Sequence, residues 1–395
     1  MARVMLVSTM EKGHTNPLAG VVQHLKARGH TVGWLCVPHP APQVQALGAE
    51  VVPFEPPPAP PFVTGGEALA GLVRDEERLY HWIRTLLLDA VPGMVEPMRA
   101  AMRAWRPDVV APDPMQWAAV LAAHLEKLPL GTISSSLNPC TPESVDCPHT
   151  RNMKRLAPDR DALFRRFGVE PAFRICDYRA PRVNVVFACP EYVGALADTP
   201  PNVQLVGPSL PTGPRGDEPA LDLPADSRPL VYASFGSQIF YQPDIFGRIA
   251  EATSGMGVQV LLTAGELADS PWARSLPAHV RAVRYTPQLQ VLQRAAAFIT
   301  HGGANSIMEA LWAGVPLLQS PVCNDQFLQA EFLRASGAGT VLDLHTATVP
   351  QQRAALQGLL QPDSTVRRAL APIHAAYRRA DGARRAAEAL EGLLP

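Results

Sequence analysis

A strand–helix alternation runs through this chain twice, and the segment between the two runs suits neither strand nor helix. That segment, Pro208 to Pro229, reads PSLPTGPRGDEPALDLPADSRP. Proline removes backbone donors and glycine is costly to order, so such a stretch joins cores and does not enter them. Before it, RVMLVS, TVGWLCV, PDVVAPD, LPLGTIS and RVNVVFA read as buried strands, the last closing that half. After it the alternation restarts with LVYASFG, VQVLLTAG, VRAVRY, AAFIT, VPLLQSP and TVLDL. Strands alternating with helices pair in parallel through helical crossovers. The expected fold is therefore α/β, with two doubly wound parallel-sheet (Rossmann-like) domains facing across a cleft. The expected limits are 1–207 and 230–370, the linker 208–229 between them, and a terminal helix over 371–395 that returns to the first domain. A length of 395 residues suits two cores of ordinary size.

Asn16-Pro17 offers a cap and a first-turn proline, so a helix is expected from there, with Leu18, Val21, Val22 and Leu25 on its buried face. Gly29 ends it. The preceding loop, STMEKGHT, then lies at the carboxyl end of the first strand, where open α/β sheets bind ligands. A long helical region is expected from about Ala68 to Trp105, and irregular structure, mixed helix and loop, over 137–182. Paired arginines at 367–368, 378–379 and 384–385 suggest a solvated face on the terminal helix.

The totals exclude several classes. With 35 basic and 36 acidic residues the net charge is -1, which gives nucleic acid no basic surface to bind. Six scattered cysteines without a CxxC pair argue against a zinc site and fit a reducing cytosol. The first residues lack a cleavage signal and no apolar run reaches about 18 residues, so a cytoplasmic protein without membrane insertion is expected.

The chemistry concentrates in HGGANSIMEALWAGVPLLQSPVCNDQ, residues 301–326. A strand ending at Thr300 and turning through His301, Gly302 and Gly303 into a helix makes an anion site. Glycine lets backbone approach the ligand, and the helix start offers free N–H groups. Asn305 and the Ser306 hydroxyl add donors, while Glu309, one turn deeper, is an acceptor suited to ribose hydroxyls. Asp325 and Gln326 follow the next strand and suit sugar hydroxyls. Diphosphate, ribose and sugar groups in sequence describe a nucleotide sugar. No G-x-S-x-G elbow accompanies the HGG turn, and no G-x-G-x-x-G follows the first strand. Hydrolase and dinucleotide oxidoreductase chemistry therefore lack their signatures.

The run from Tyr285 to Gln326, with YTPQ, HGG, NS, Glu309, AGVP and DQ, resembles the donor-binding signature of family 1 UDP-sugar-dependent glycosyltransferases, which have the two-domain GT-B fold. The resemblance implies that His301, Gly303, Asn305 and Ser306 hold the diphosphate and Glu309 the ribose. It further implies that Asp325 and Gln326 hold the hexose, Gln288 lies beside uracil, and Ser237 in ASFGS contacts phosphate. Tyr285 stands where the family usually has a stacking tryptophan, and Ser320 where plant members have one near the sugar.

Transfer to a hydroxyl needs a base active near neutral pH, and imidazole is the natural choice. Gly13-His14-Thr15-Asn16-Pro17 matches the loop in which the family carries its base, and Asp113, at a strand end, matches its partner. Asp108, at the start of that strand, is expected away from the cleft. The resemblance implies inversion at the anomeric carbon and no catalytic metal or cofactor; Asp159-Arg160-Asp161 lies in the wrong half for one. Phe62, Tyr80, Trp82, Met115 and Trp117 are candidates to line a pocket for a small apolar acceptor. Alternatives are a dTDP-deoxysugar donor, a UDP-sugar epimerase or hydrolase on the same fold, a lipid-linked cell-wall transferase, or a non-catalytic auxiliary protein.

Overall fold

The computed structural model describes residues 1–37, 42–57, 63, 65–213, 220–223 and 227–394. Phe62 and parts of the expected linker (214–219 and 224–226) lie outside the described residues.

In the first half the strands Glu50–Val51, Thr31–Val37, Arg3–Thr9 and Val109–Pro112 lie side by side in that order, all parallel. A bridge from Val110 to Leu130 carries the pattern on to Thr132–Ser134, Asn184–Val186 and Val203–Leu205. The second half orders its six parallel strands as Val280–Val283, Gln259–Thr263, Leu230–Ser234, Ala295–Thr300, Leu317–Gln319 and Gly339–Val341. In both halves the first strand is interior, and the chain winds outward on one side of it and then on the other. A crevice opens where the winding reverses, outside the carboxyl ends of the two strands concerned.

The continuous apolar runs have a direct cause. Val4 and Leu6 pack into one core cluster while Met5 and Val7 pack into another, so the first strand is covered on both faces. Tyr232 and its neighbours Val231 and Ala233 divide in the same way in the second half. Among the described residues, no helix is long and apolar enough to cross a membrane.

Four expectations are corrected. The first helix begins at Lys12, not at Asn16. Proline at 17 removes only its own N–H, while those of His14 and Thr15 reach the Glu11 carbonyl and hold an earlier turn. His14 is therefore a helical residue. The strand Asn184–Val186 is not the last of its half, since Val203–Leu205 adds to the edge. The region from Ala68 to Trp105 is broken into Gly66–Leu72, Glu76–Arg84, a π-helical turn Thr85–Asp89, and Val91–Trp105. Finally, the terminal arginines are not simply solvated. Arg367 donates to the Leu359 and Ala296 carbonyls, Arg385 to that of Val206, and Arg378 lies 4.2 Å above the Trp312 ring.

The last helix, Gly382–Glu391, packs on the first one. A Cβ at Gly20 would lie 2.6 Å from the Leu210 carbonyl oxygen and 2.8 Å from the Ala383 methyl, so only glycine allows this approach. Arg28 and His30 both bond Glu391 and fix the end of the contact.

Candidate active site

The crevice of the first half brings together the ends of the strands Arg3–Thr9 and Val109–Pro112. Asp113 donates its N–H to the Val7 carbonyl at 2.8 Å, which sets its side chain level with the start of the first helix. Its Oδ2 lies 2.7 Å from Nδ1 of His14, the third residue of that helix. A carboxylate only accepts, so the proton sits on Nδ1 and Nε2 is left as the basic nitrogen. The N–H of Met115 donates to Asp113 Oδ1 at 3.0 Å, and Ser135 Oγ lies 2.9 Å from His14 Nδ1 and 3.3 Å from Asp113 Oδ2. Ser135 was not anticipated. Its only signal was the triple serine that ends the strand Thr132–Ser134.

Burial is the largest single influence on His14 and pulls its pKa down. The charge and hydrogen bond of Asp113, helped by Glu11 and Asp325, outweigh it and raise the pKa to about 9. Asp325, from the other half, is pushed up to about 6, chiefly by burial, with the His14 charge acting against that. Groups from both halves thus share one field.

The crevice of the second half is built between Leu230–Ser234 and Ala295–Thr300. Gly236 has a φ of +79°, and the His301 ring lies against it, 2.9 Å from where a Cβ would stand. Gly303 is covered by the same ring. Burial pulls the His301 pKa down to about 4, with a hydrogen bond to the Ser234 backbone opposing, so the ring is neutral at pH 7. Gly236→Ala places a methyl in this gap on a left-handed backbone, which costs about 1–3 kcal/mol. A lower Tm is expected, measurable by thermal unfolding.

Ser237, Tyr285, Gln288, Gly303, Asn305 and Ser306 all line the interdomain cavity, as do His301, Asp325 and Gln326. Two of the expected residues behave differently. Glu309 is fully buried and does not reach the cavity. Its oxygens accept from Asn305 Nδ2 at 2.8 Å, one helical turn back, and from Gln288 Nε2 at 2.9 Å. Its position behind the cavity wall therefore corrects the expectation of a direct ribose contact. The Gln326 amide oxygen accepts from the N–H groups of Val322 and Cys323, at 2.9 and 3.0 Å, so this side chain buckles the loop that presents Asp325.

The cavity, about 670 Å³, opens between the halves. Of the aromatic and sulfur-bearing candidates, Trp82 and Met115 line it. Tyr80 and Trp117 do not and are corrected to core residues. Tyr80 is buried beneath the Arg155 guanidinium, 3.7 Å from its ring centroid, and Trp117 donates to the Cys176 carbonyl at 2.9 Å. The walls are instead completed by Leu69, Val73, Ile83, Leu86, Leu87 and Met153. Leu69 and Val73 lie one helical turn apart, a spacing legible in sequence, although not as pocket and not as core. Asp108 accepts from the Arg3 N–H at the opposite end of the sheet. Asp159 pairs with Arg84, and Asp161 with Arg160.

Two doubly wound domains, with an acid–imidazole pair from one facing a glycine-lined anion site from the other, define a GT-B nucleotide-sugar-dependent glycosyltransferase. Comparison with known proteins agrees. Residues 200–374 match the family model described as UDP-glucoronosyl and UDP-glucosyl transferase. The chain is similar to NDP-glycosyltransferase YjiC of Bacillus subtilis (strain 168), at 26% identity over 99% of this chain and 97% of the relative. Oleandomycin glycosyltransferase of Streptomyces antibioticus is 28% identical, over 100% of this chain and 91% of the relative. The crystal structure of the glycosyltransferase of kitacinnamycin superposes with a TM-score of 0.79 at 27% identity, covering 100% of this chain and 99% of that one. In sequence and in fold the chain is similar to the nucleotide-sugar-dependent glycosyltransferases that its donor motif resembles.

Proposed function

We propose that this enzyme moves a hexose, glucose in the first instance, from a UDP-sugar to a hydroxyl of a small apolar acceptor, with inversion and without a metal. The observation that carries the reading is the opening of the His14–Asp113 pair onto the same cavity as Ser237, His301, Asn305 and Asp325. His14 Nε2 takes the proton of the acceptor hydroxyl as its oxygen attacks the anomeric carbon. UDP leaves on the opposite side, where the helix start at 304–306 and the loop at Ser237 offer donors to the diphosphate. Attack opposite the leaving group converts an α-linked donor into a β-glycoside. Asp325 faces the hexose, Gln326 fixes its loop, and Tyr285 stacks on the base. Glu309 acts through Gln288 and Asn305, which present the ribose edge. On this reading residues 1–207 bind acceptor and 230–370 bind donor, joined by 208–229, with 371–395 bracing the pair.

The apolar walls support an apolar acceptor, and the names of the relatives, an oleandomycin glycosyltransferase among them, support a natural-product-like one. A second reading, a dTDP-sugar donor, is favoured by the capture of Glu309 inside the domain, since a 2′-deoxyribose has one hydroxyl fewer to satisfy. Calorimetric titration with UDP and dTDP in EDTA separates the two. Micromolar UDP binding without metal is the expected result, preference for dTDP moves the assignment to deoxysugar donors, and binding of neither nucleotide overturns the donor site.

A further inference from the structure

Beneath the His14–Asp113 pair lies a polar group that the transfer mechanism does not use. Asn138 is 1% exposed and His149 5% exposed, and both line the cavity among Met153, Ile83 and Leu87. Asn138 Nδ2 donates to Asp177 Oδ1 at 2.8 Å and approaches Cys176 Sγ at 3.0 Å. The opposite amide orientation would set its oxygen against the carboxylate, so Oδ1 is the atom left over. Asn138 Oδ1 has no hydrogen-bond partner. His149 Nε2 meets the same sulfur at 3.8 Å, and its Nδ1 also has no partner. Two buried polar side chains thus converge on Cys176, and each is left with one unsatisfied atom. An unpaired buried polar atom is costly, and the cost disappears when a ligand supplies the missing partner.

We propose that Asn138 and His149 recognise a second hydroxyl on the acceptor, distinct from the one that is glycosylated. The proposal rests on the reading of this cavity as the acceptor site and narrows the acceptor to an apolar scaffold with hydroxyls at two separated positions. A hydroxyl can donate to Asn138 Oδ1, and because a hydroxyl both donates and accepts it also suits His149 Nδ1 in either tautomer. Burial holds the His149 pKa down to about 4, so the ring is neutral and offers no charge to an anion. A carboxylate in this place would find an amide oxygen that only accepts, with Asp177 directly behind it. The floor therefore selects a neutral hydroxyl and rejects an acid.

Equilibrium binding tests this apart from turnover. Calorimetry of the full chain saturated with UDP is run with 2-naphthol, 2,6-dihydroxynaphthalene and 6-hydroxy-2-naphthoic acid, three ligands on one scaffold. The diol is expected to bind about tenfold tighter than the mono-alcohol and the acid weaker than the diol, consistent with one well-made buried hydrogen bond. His149→Phe keeps the ring shape and should reduce the diol's advantage over the mono-alcohol without moving the latter or UDP. Equal affinity of wild type for diol and mono-alcohol, including no affinity for either, overturns the proposal, since the orphan atoms then serve only water. A His149→Phe chain that weakens both ligands equally also overturns it, because His149 would then be packing alone. Neither comparison requires sugar transfer, so a failure of the transfer reading shows separately as binding without product.

Discussion

His14→Ala is expected to lower sugar transfer by about 10²- to 10⁴-fold, the range contributed by a positioned general base, while UDP affinity stays within about twofold. The two halves of this statement have separate physical grounds. The imidazole is the basic group that Asp113 orients at 2.7 Å, and removing it leaves the acceptor hydroxyl without that base. On the proposed reading the donor contacts belong to the other domain, around Gly236, His301 and the helix start at 304, none of which bonds His14. The fold should tolerate the change, because alanine is a better helix former than histidine and the site is in the first turn of a helix. Asp113 also keeps the Met115 N–H and the Ser135 hydroxyl as donors, so the buried carboxylate is not stranded. One secondary effect follows from the shared field. Asp325 loses the charge that was holding its pKa down, and protonates at a higher pH than in the wild type. Product formation and UDP calorimetry on the same preparation decide the matter. Loss of UDP binding together with transfer would falsify the role given to His14.

The parts of this site that were legible in the sequence are those that a chain can specify locally. A strand end followed by glycines and a capped helix is a ligand site on any doubly wound sheet, so the His301 turn and the loop at Ser237 could be located without coordinates. His14 and Asp113 are 99 residues apart, yet each lies at the carboxyl end of a strand, and adjacent strands at a winding reversal place such ends together. What remained hidden depends on which way a side chain turns. Glu309 has the spacing of a ribose ligand, but the same i, i+4 geometry lets Asn305 capture it from within the helix. Tyr80 and Trp117 carry the same apolar surface as Trp82, and only the packing partners distinguish core from pocket. Ser135 had no spacing to betray it, because its contacts to His14 and Asp113 span 121 and 22 residues.

Asp113→Asn is expected to move the pH dependence as well as the rate, and the sign of the movement distinguishes it from a merely structural defect. A base acts in its neutral form, so wild-type kcat/KM should rise with pH and level off above about 9, the raised pKa of His14 in the free enzyme. Asparagine removes both the charge and the carboxylate acceptor that raise this value. Burial, already the largest single influence, is then opposed only by Glu11 and Asp325, and the midpoint should fall by at least one pH unit. More of the variant's His14 is neutral at pH 7, yet its plateau rate should be lower by on the order of 10² or more. An asparagine can present its N–H₂ to Nδ1, favour the wrong tautomer and leave the developing imidazolium without a counter-charge. Stability follows the same linkage. A histidine whose pKa is raised on folding contributes stability in full below about 6.5, and that contribution fades as pH rises through about 9. The Tm difference between wild type and Asp113→Asn should accordingly be largest near pH 6 and shrink toward pH 9.5. A wild-type profile that is flat from pH 6 to 9 would remove His14 from the proton transfer, whatever the alanine variant does. A variant with a lower rate but an unmoved midpoint would make Asp113 a packing residue, and His14 would have to owe its raised pKa to Glu11 and Asp325 alone.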